Sequence, residues 1–165
     1  MKTLKTEDIF KKGDLFDYID PNISLLPNTF KEKKGTYTSV ELGKPMTFAE
    51  MESQKPEILT LGDVYHAITS GQCLEDGWSN FFFVRNNEGN VSVVCVARHD
   101  GQWFVHVYRL DYAHRWNAAS RVFLRNYSVG HSESGSVDIL NLRALKKQVA
   151  KLESILETGL NKNLL

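Results

Sequence analysis

From Trp78 to Asn126 the chain runs through stretches rich in β-branched and aromatic residues, separated by short polar breaks: Trp78–Val84, Val91–Arg98, Trp103–Arg109 and, more weakly, Ser120–Arg125. The break between the second and third stretches contains Asp100-Gly101. A two-residue hairpin turn of type I′ needs positive φ at both central positions, which Gly adopts freely and Asp tolerates. With that turn in place, Val96 stands opposite Val105, Val94 opposite Val107 and Arg98 beside Trp103 on one face. On the other face Ala97 pairs with Phe104, Cys95 with His106 and Val93 with Tyr108. Both faces are largely apolar, whereas a sheet with one side in water alternates cleanly between apolar and polar, so each face has to be covered.

The segments before this meander supply candidates for that cover. Thr47-Phe-Ala-Glu50 has capping-box spacing and predicts a short helix from Phe48 to about Gln54. Thr60 to Gly71 predicts another, with Thr60 as N-cap, Gly71 just past the end, and Leu61, Val64, Tyr65 and Ile68 on one face. That face is expected to pack on one side of the sheet. Thr36–Leu42, ending at Gly43, reads as an edge strand. Further upstream, Thr6 to Gly13 reads as a short helix capped by Thr6, followed by Leu15–Ile19. Pro21 and Pro27 break regular structure, so residues 20–35 read as an extended arm anchored by Leu25, Leu26 and Phe30.

After Asn126 the composition changes. Ser128 to Val137 is small and polar, as in a flexible linker. Beyond it Asp138 can cap a helix reaching about Glu157, in which Leu142, Leu145, Val149, Leu152 and Leu156 recur in alternating steps of three and four, with Lys146 and Glu153 flanking the stripe. This is a coiled-coil seam of a little over two heptads, a pattern that a helix packed on its own domain also shows. A linker does little to position a helix on its own domain, so the expected occupant of the seam is a second copy of the chain in a weak homodimer. The resulting architecture is α+β: an antiparallel meander of three to five strands packed by short helices, plus a C-terminal amphipathic helix. Its divisions are an N-terminal arm with a short helix at 1–35, a core domain at 36–126, a linker at 127–137 and the helix at 138–160.

Composition adds bounds. The 165 residues carry 20 Lys plus Arg against 20 Asp plus Glu, so no net field draws the chain to nucleic acid or an anionic membrane. No apolar run is long enough to span a bilayer, and Met1-Lys-Thr-Leu-Lys-Thr6 lacks a signal-peptide core, which together predict a cytoplasmic protein. Cys73 and Cys95 have no metal-ligand spacing and are expected to be reduced, with Cys95 buried and inert.

The ordered motifs Thr47-Phe-Ala-Glu-Met51, Asp76-Gly-Trp78, Phe81-Phe-Phe-Val84, Val107-Tyr-Arg109, Trp116-Asn-Ala118 and Arg121-Val122 span roughly residues 36–126. In them the chain resembles an uncharacterised family of small proteins associated with uncultivated, metagenome-derived bacteria. The resemblance implies no activity, cofactor or partner.

Chemistry has two candidate locations. Cys95 opposite His106 has the composition of a nucleophilic thiol beside an imidazole, although cross-strand neighbours are close in every hairpin and the structural reading is favoured. His99-Asp100 belongs to the turn, and Glu75-Asp76 reads as a solvated loop. The histidines at 66, 99, 106, 114 and 131 show no zinc spacing, and no Gly-rich phosphate loop or Gly-x-Ser-x-Gly elbow is present. No cofactor or metal is therefore expected, and catalysis is not favoured.

The second location is the interleaving of Arg98, Arg109, Arg115 and Arg121 with Trp103 and Trp116, flanked by Arg85, Arg125, Tyr108 and Tyr112. Arginine suits phosphate and aromatic rings stack on bases, a combination able to hold RNA or single-stranded nucleic acid. Arginines flanking strands and pairing with local acids give the plainer alternative. Two functions follow: a non-catalytic interaction module with another protein or itself as partner, and an RNA-directed binder or nuclease.

Overall fold

The computed structural model describes residues 1–126 and 147–153. The chain divides into two compact units, Met1–Val129 and Gly130–Leu165. In chain order the elements are β1 (Thr3–Lys5), α1 (Thr6–Ile9), β2 (Phe16–Ile19), a 3-10 turn at Pro21–Leu25, β3 (Thr29–Lys31), β4 (Tyr37–Glu41), α2 (Phe48–Glu52), α3 (Leu61–Thr69), β5 (Asn80–Arg85), β6 (Val91–His99), β7 (Gln102–Arg109) and β8 (Arg121–Arg125). The class is α+β. β1 and β3 form a small antiparallel sheet, and the other six strands form one mixed sheet in the order β2-β7-β6-β5-β8-β4.

The β6–β7 hairpin has the expected register, with Val96 opposite Val105, Cys95 opposite His106 and Arg98 opposite Trp103. Asp100 and Gly101 adopt φ of 51° and 83°, the two positive values that a type I′ turn requires. β5 pairs antiparallel with β6, so β5 to β7 is a meander.

The fourth strand departs from the expectation of a purely antiparallel meander. β8 pairs parallel with β5 and antiparallel with β4, on the far side of the sheet from β7. The place beside β7 is taken by β2, which pairs with it in parallel through Phe16–Trp103 and Ile19–Val105. The stretch 1–35 thus gives a strand to the main sheet as well as both strands of the small one.

Local detail corrects the N-terminal reading further. α1 stops at Ile9, Lys5 occupies its N-cap without a side-chain bond, and Thr6 is buried with its hydroxyl donating to the Pro27 carbonyl at 2.5 Å. Thr6, the first helical residue, thus ties α1 to the segment before β3 and caps nothing. Of the three anchors, Leu26 and Phe30 are buried but Leu25 is 44% exposed.

One face of the sheet carries Phe82, Val84, Val94, Val96, Trp103, Val105 and Val107, and it packs on Leu61, Val64, Ala67 and Ile68 of α3 and on Phe10, Phe16, Leu26 and Phe30. α3 has a complete capping box, with the Thr60 hydroxyl accepting from the Asp63 amide and the Asp63 carboxylate accepting from the Thr60 amide. α2 has the box expected at Thr47 and Glu50. It serves the opposite face, where Phe48 meets Phe81 edge-on at 5.2 Å between ring centres. Segment 110–120 carries the chain from β7 to β8 and joins α2 on that face: Met46 and Trp116 form an isolated antiparallel bridge.

Residues 147–153 are helical, as expected for the C-terminal segment, and Val149 and Leu152 are 51% and 60% exposed. The remainder of the apolar stripe (Leu142, Leu145, Leu156) and the linker at 127–137 lie outside the described residues. Among the described residues no helix is long and apolar enough to cross a membrane.

Candidate binding surface

The arginines and tryptophans singled out from sequence are not gathered into one exposed face. Trp103 is 2% exposed, in the core beneath α3, and the Arg98 guanidinium lies 5.6 Å from its ring centre while pairing with Glu75. Arg109, at the opposite end of the hairpin, pairs with Asp111 at 3.1 Å. Arg121 pairs with Asp76 at 2.8 Å and Arg115 with Glu50 at 2.8 Å. The guanidinium of Arg121 holds the Asp76 carboxyl below its usual range, and the Thr47 amide together with Arg115 does the same for Glu50. Outside those six, Arg125 bonds to buried Asp63 at 2.6 Å, and Arg85 donates to the Gly89 carbonyl. Trp116 lies against Phe48 and Phe81 at 5.1 and 5.0 Å, and its buried indole N–H has no hydrogen-bond partner.

Cys95 and His106 are cross-strand neighbours, but their surroundings do not activate a thiol. Cys95 is buried, and burial pushes its thiol up to about 12 against a partial opposing effect of a bond with Ser79. A thiol in that state is protonated at neutral pH and is a poor nucleophile. Cys73 is buried as well and displaced upward for the same reason, and both cysteines are free. Among the described residues no group of three His, Cys, Asp or Glu side chains could hold a metal ion.

What the structure does assemble is a continuous row of rings on the α2 side of the sheet. His106 and Tyr108 project from alternate positions of β7, and their rings stack at 5.8 Å. β2 adds Tyr18, which lies 4.8 Å from His106. The segment after β7 folds Tyr112 onto Tyr108 at 4.7 Å, and His114 continues the row to Trp116. Toward α2 the row is sealed, since Phe48 packs on both Tyr108 and Trp116. Toward β2 it is open, with Tyr18 and the His106 side chain each 38% exposed, and Tyr112, folded over Tyr108, is 46% exposed. The Phe48 ring of α2 touches Tyr108 and Trp116 of the row, and Tyr18, His106 and Tyr112 keep contact with solvent.

Asp20 borders the open half. Its carboxylate accepts from the Asn22 amide at 2.9 Å and the Val107 amide at 3.1 Å, and lies 4.0 Å from His106 Nδ1. The Tyr108 hydroxyl is pushed up to about 12, first by burial and then by the negative charge that Cys95, Tyr112, Asp20 and Tyr18 would carry around it. The open half thus sets exposed ring faces beside a carboxylate.

Sequence reasoning placed Phe104, His106 and Tyr108 on one face from the hairpin register. The contribution of Tyr18 has no local signal, because it depends on a parallel pairing between strands more than eighty residues apart in the chain. No family model, curated protein or solved structure matches the chain.

Proposed function

We propose that this chain is a non-catalytic interaction module that holds its partner on the open half of the aromatic row formed by Tyr18, His106, Tyr108 and Tyr112. The observation that supports this most is the contrast in ring exposure. Phe16, Phe48, Phe81, Phe82, Phe83, Trp103 and Phe123 are almost fully buried, while this stacked group is left 38% exposed at Tyr18 and 46% at Tyr112. Stacked rings with one face in water form rigid, amphipathic contact area of the kind enriched at binding surfaces. Tyr18 and Tyr112 are exposed enough to be replaced together by Ser with little effect on thermal unfolding. The expected outcome is a protein that melts normally and no longer retains the partners that the unsubstituted chain captures from cell extract. Unchanged capture would sink the assignment of this surface.

The nucleic-acid reading is supported by the same stacking surfaces, but five of the six arginines from Arg85 to Arg125 are engaged with carboxylates. A phosphate would have to displace those pairs. Passage through heparin at moderate salt is expected, and retention there would favour the nucleic-acid reading.

A further inference from the structure

The open aromatic row has a sign of charge as well as a shape. Resting on the binding surface proposed above, we infer that its ligand is cationic: an extended peptide segment of another protein whose arginine or lysine side chains lie along the open row, over the exposed rings of Tyr18 and Tyr112 and toward Asp20.

Three observations lead there. The first is the chemistry of the rings. The faces of the exposed rings Tyr18 and Tyr112 carry negative quadrupole charge and attract an ammonium or guanidinium group placed over them. The second is Asp20, 14% exposed at its side chain, whose only ion-pair neighbour among the described residues is His106. Two backbone amides bond its carboxylate. The nearest basic groups along the chain do not neutralise the row: Arg109 is tied to Asp111 and Arg115 to Glu50. Among the described residues no Lys or Arg lies within ion-pair distance of Asp20, so a phosphate backbone would meet a carboxylate there, whereas a positive side chain meets both a carboxylate and ring faces.

The third is spacing. His106 and Tyr108 stand two residues apart on β7 with ring centres separated by 5.8 Å. In an extended peptide, side chains on one side repeat every two residues, about 6.7 Å. Alternate side chains of such a segment then keep step with the row, and a guanidinium, being planar, can stack as well as attract.

The test is titration of the full chain, followed by amide and ring proton resonances, with four probes: a capped Gly-Arg repeat peptide, a capped Gly-Gln repeat, a capped Gly-Glu repeat and an oligothymidylate. The Gly-Arg peptide is expected to move the signals of Asp20, His106, Tyr108 and Tyr112, to bind more weakly as salt rises, and to be the tightest of the four. Tyr112→Ala should weaken it about fivefold, while Tyr112→Phe, which keeps the ring, should stay within about twofold. Tyr112 is in an exposed segment, so both variants are expected to fold. Equal binding of the Gly-Gln or Gly-Glu peptide at the same residues overturns the cation assignment and leaves the surface standing. Tighter binding of oligothymidylate overturns it in favour of nucleic acid. If no probe moves the row, the inference fails. Loss of partner capture by the Tyr18 and Tyr112 double variant would then still uphold the binding surface, and retention of capture would remove both.

Discussion

Asp63 has no exposed surface, and its carboxylate is satisfied from three directions: the Thr60 amide and hydroxyl, the Tyr37 hydroxyl at 2.9 Å and the Arg125 guanidinium at 2.6 Å. Burial alone would raise its pKa, but the hydrogen bonds from Thr60 and Arg125 and the charge of Arg125 outweigh that effect, so the group sits below the usual carboxylate range. The contact with Asp63 displaces the Tyr37 hydroxyl upward, after the larger effect of its own burial, and the charge of Arg125 works the other way. One side chain thus caps α3 and ties it to β4 and β8. Asp63→Asn is expected to cost about 3 kcal/mol in urea unfolding at neutral pH, the low end for a broken buried pair, because Arg125 keeps Glu57 at 3.9 Å. A depressed folded-state pKa contributes stability that is fully present above the unfolded value, about 3.9, and is lost as pH falls through the folded value. The stability gap between the two proteins should therefore be widest at neutral pH and close below about pH 4. A gap independent of pH would show that Asp63 acts through shape alone.

α3 illustrates how an element answers to its neighbours as well as to its own periodicity. Its apolar face and capping are legible in sequence, and helix propensity taken alone favours Ala over Gly by about 1 kcal/mol at a helical position such as Gly62. The structure reverses that sign: a Cβ at position 62 would lie 2.0 Å from the Lys31 carbonyl oxygen of β3, and that backbone cannot yield as a flexible side chain does. Gly62→Ala is expected to destabilise by about 1–3 kcal/mol and to loosen the β1–β3 sheet first, seen as faster amide exchange at Leu4 and Phe30. A stabilised variant would mean that β3 is not held against the helix. In the hairpin the same kind of reasoning works from sequence alone, because a two-residue turn is set by its own φ angles and dictates the pairing on both sides.

At the scale of the whole chain, the described part of the C-terminal segment is helical with Val149 and Leu152 more than half exposed. An apolar stripe in water favours association, and two heptads are marginal by themselves. We propose that the full chain self-associates weakly through this helix. Light scattering should show an apparent mass rising with concentration for the full chain and none for a chain ending at Gly135. Two monomers across a wide range would refute it.

Sequence by itself determined what is local. The hairpin register followed from Asp100-Gly101, both capping boxes from residues three apart, and the need to cover two sheet faces from the apolar character of both sides of β6. Those are short-range stereochemistry and periodicity. Strand order was decided by tertiary structure, because β2 and β8 carry no local mark of which edge they will join, or in which direction. That choice is made by burial: Phe16 sinks beside Trp103 in the core under α3, and Val122 packs into the opposite face beyond β5. The binding surface follows from the same choice. Interleaved arginines and aromatics looked like one site along the chain, yet strand alternation and local acids dispersed them, and the open aromatic row exists only because β2 brings Tyr18 beside His106.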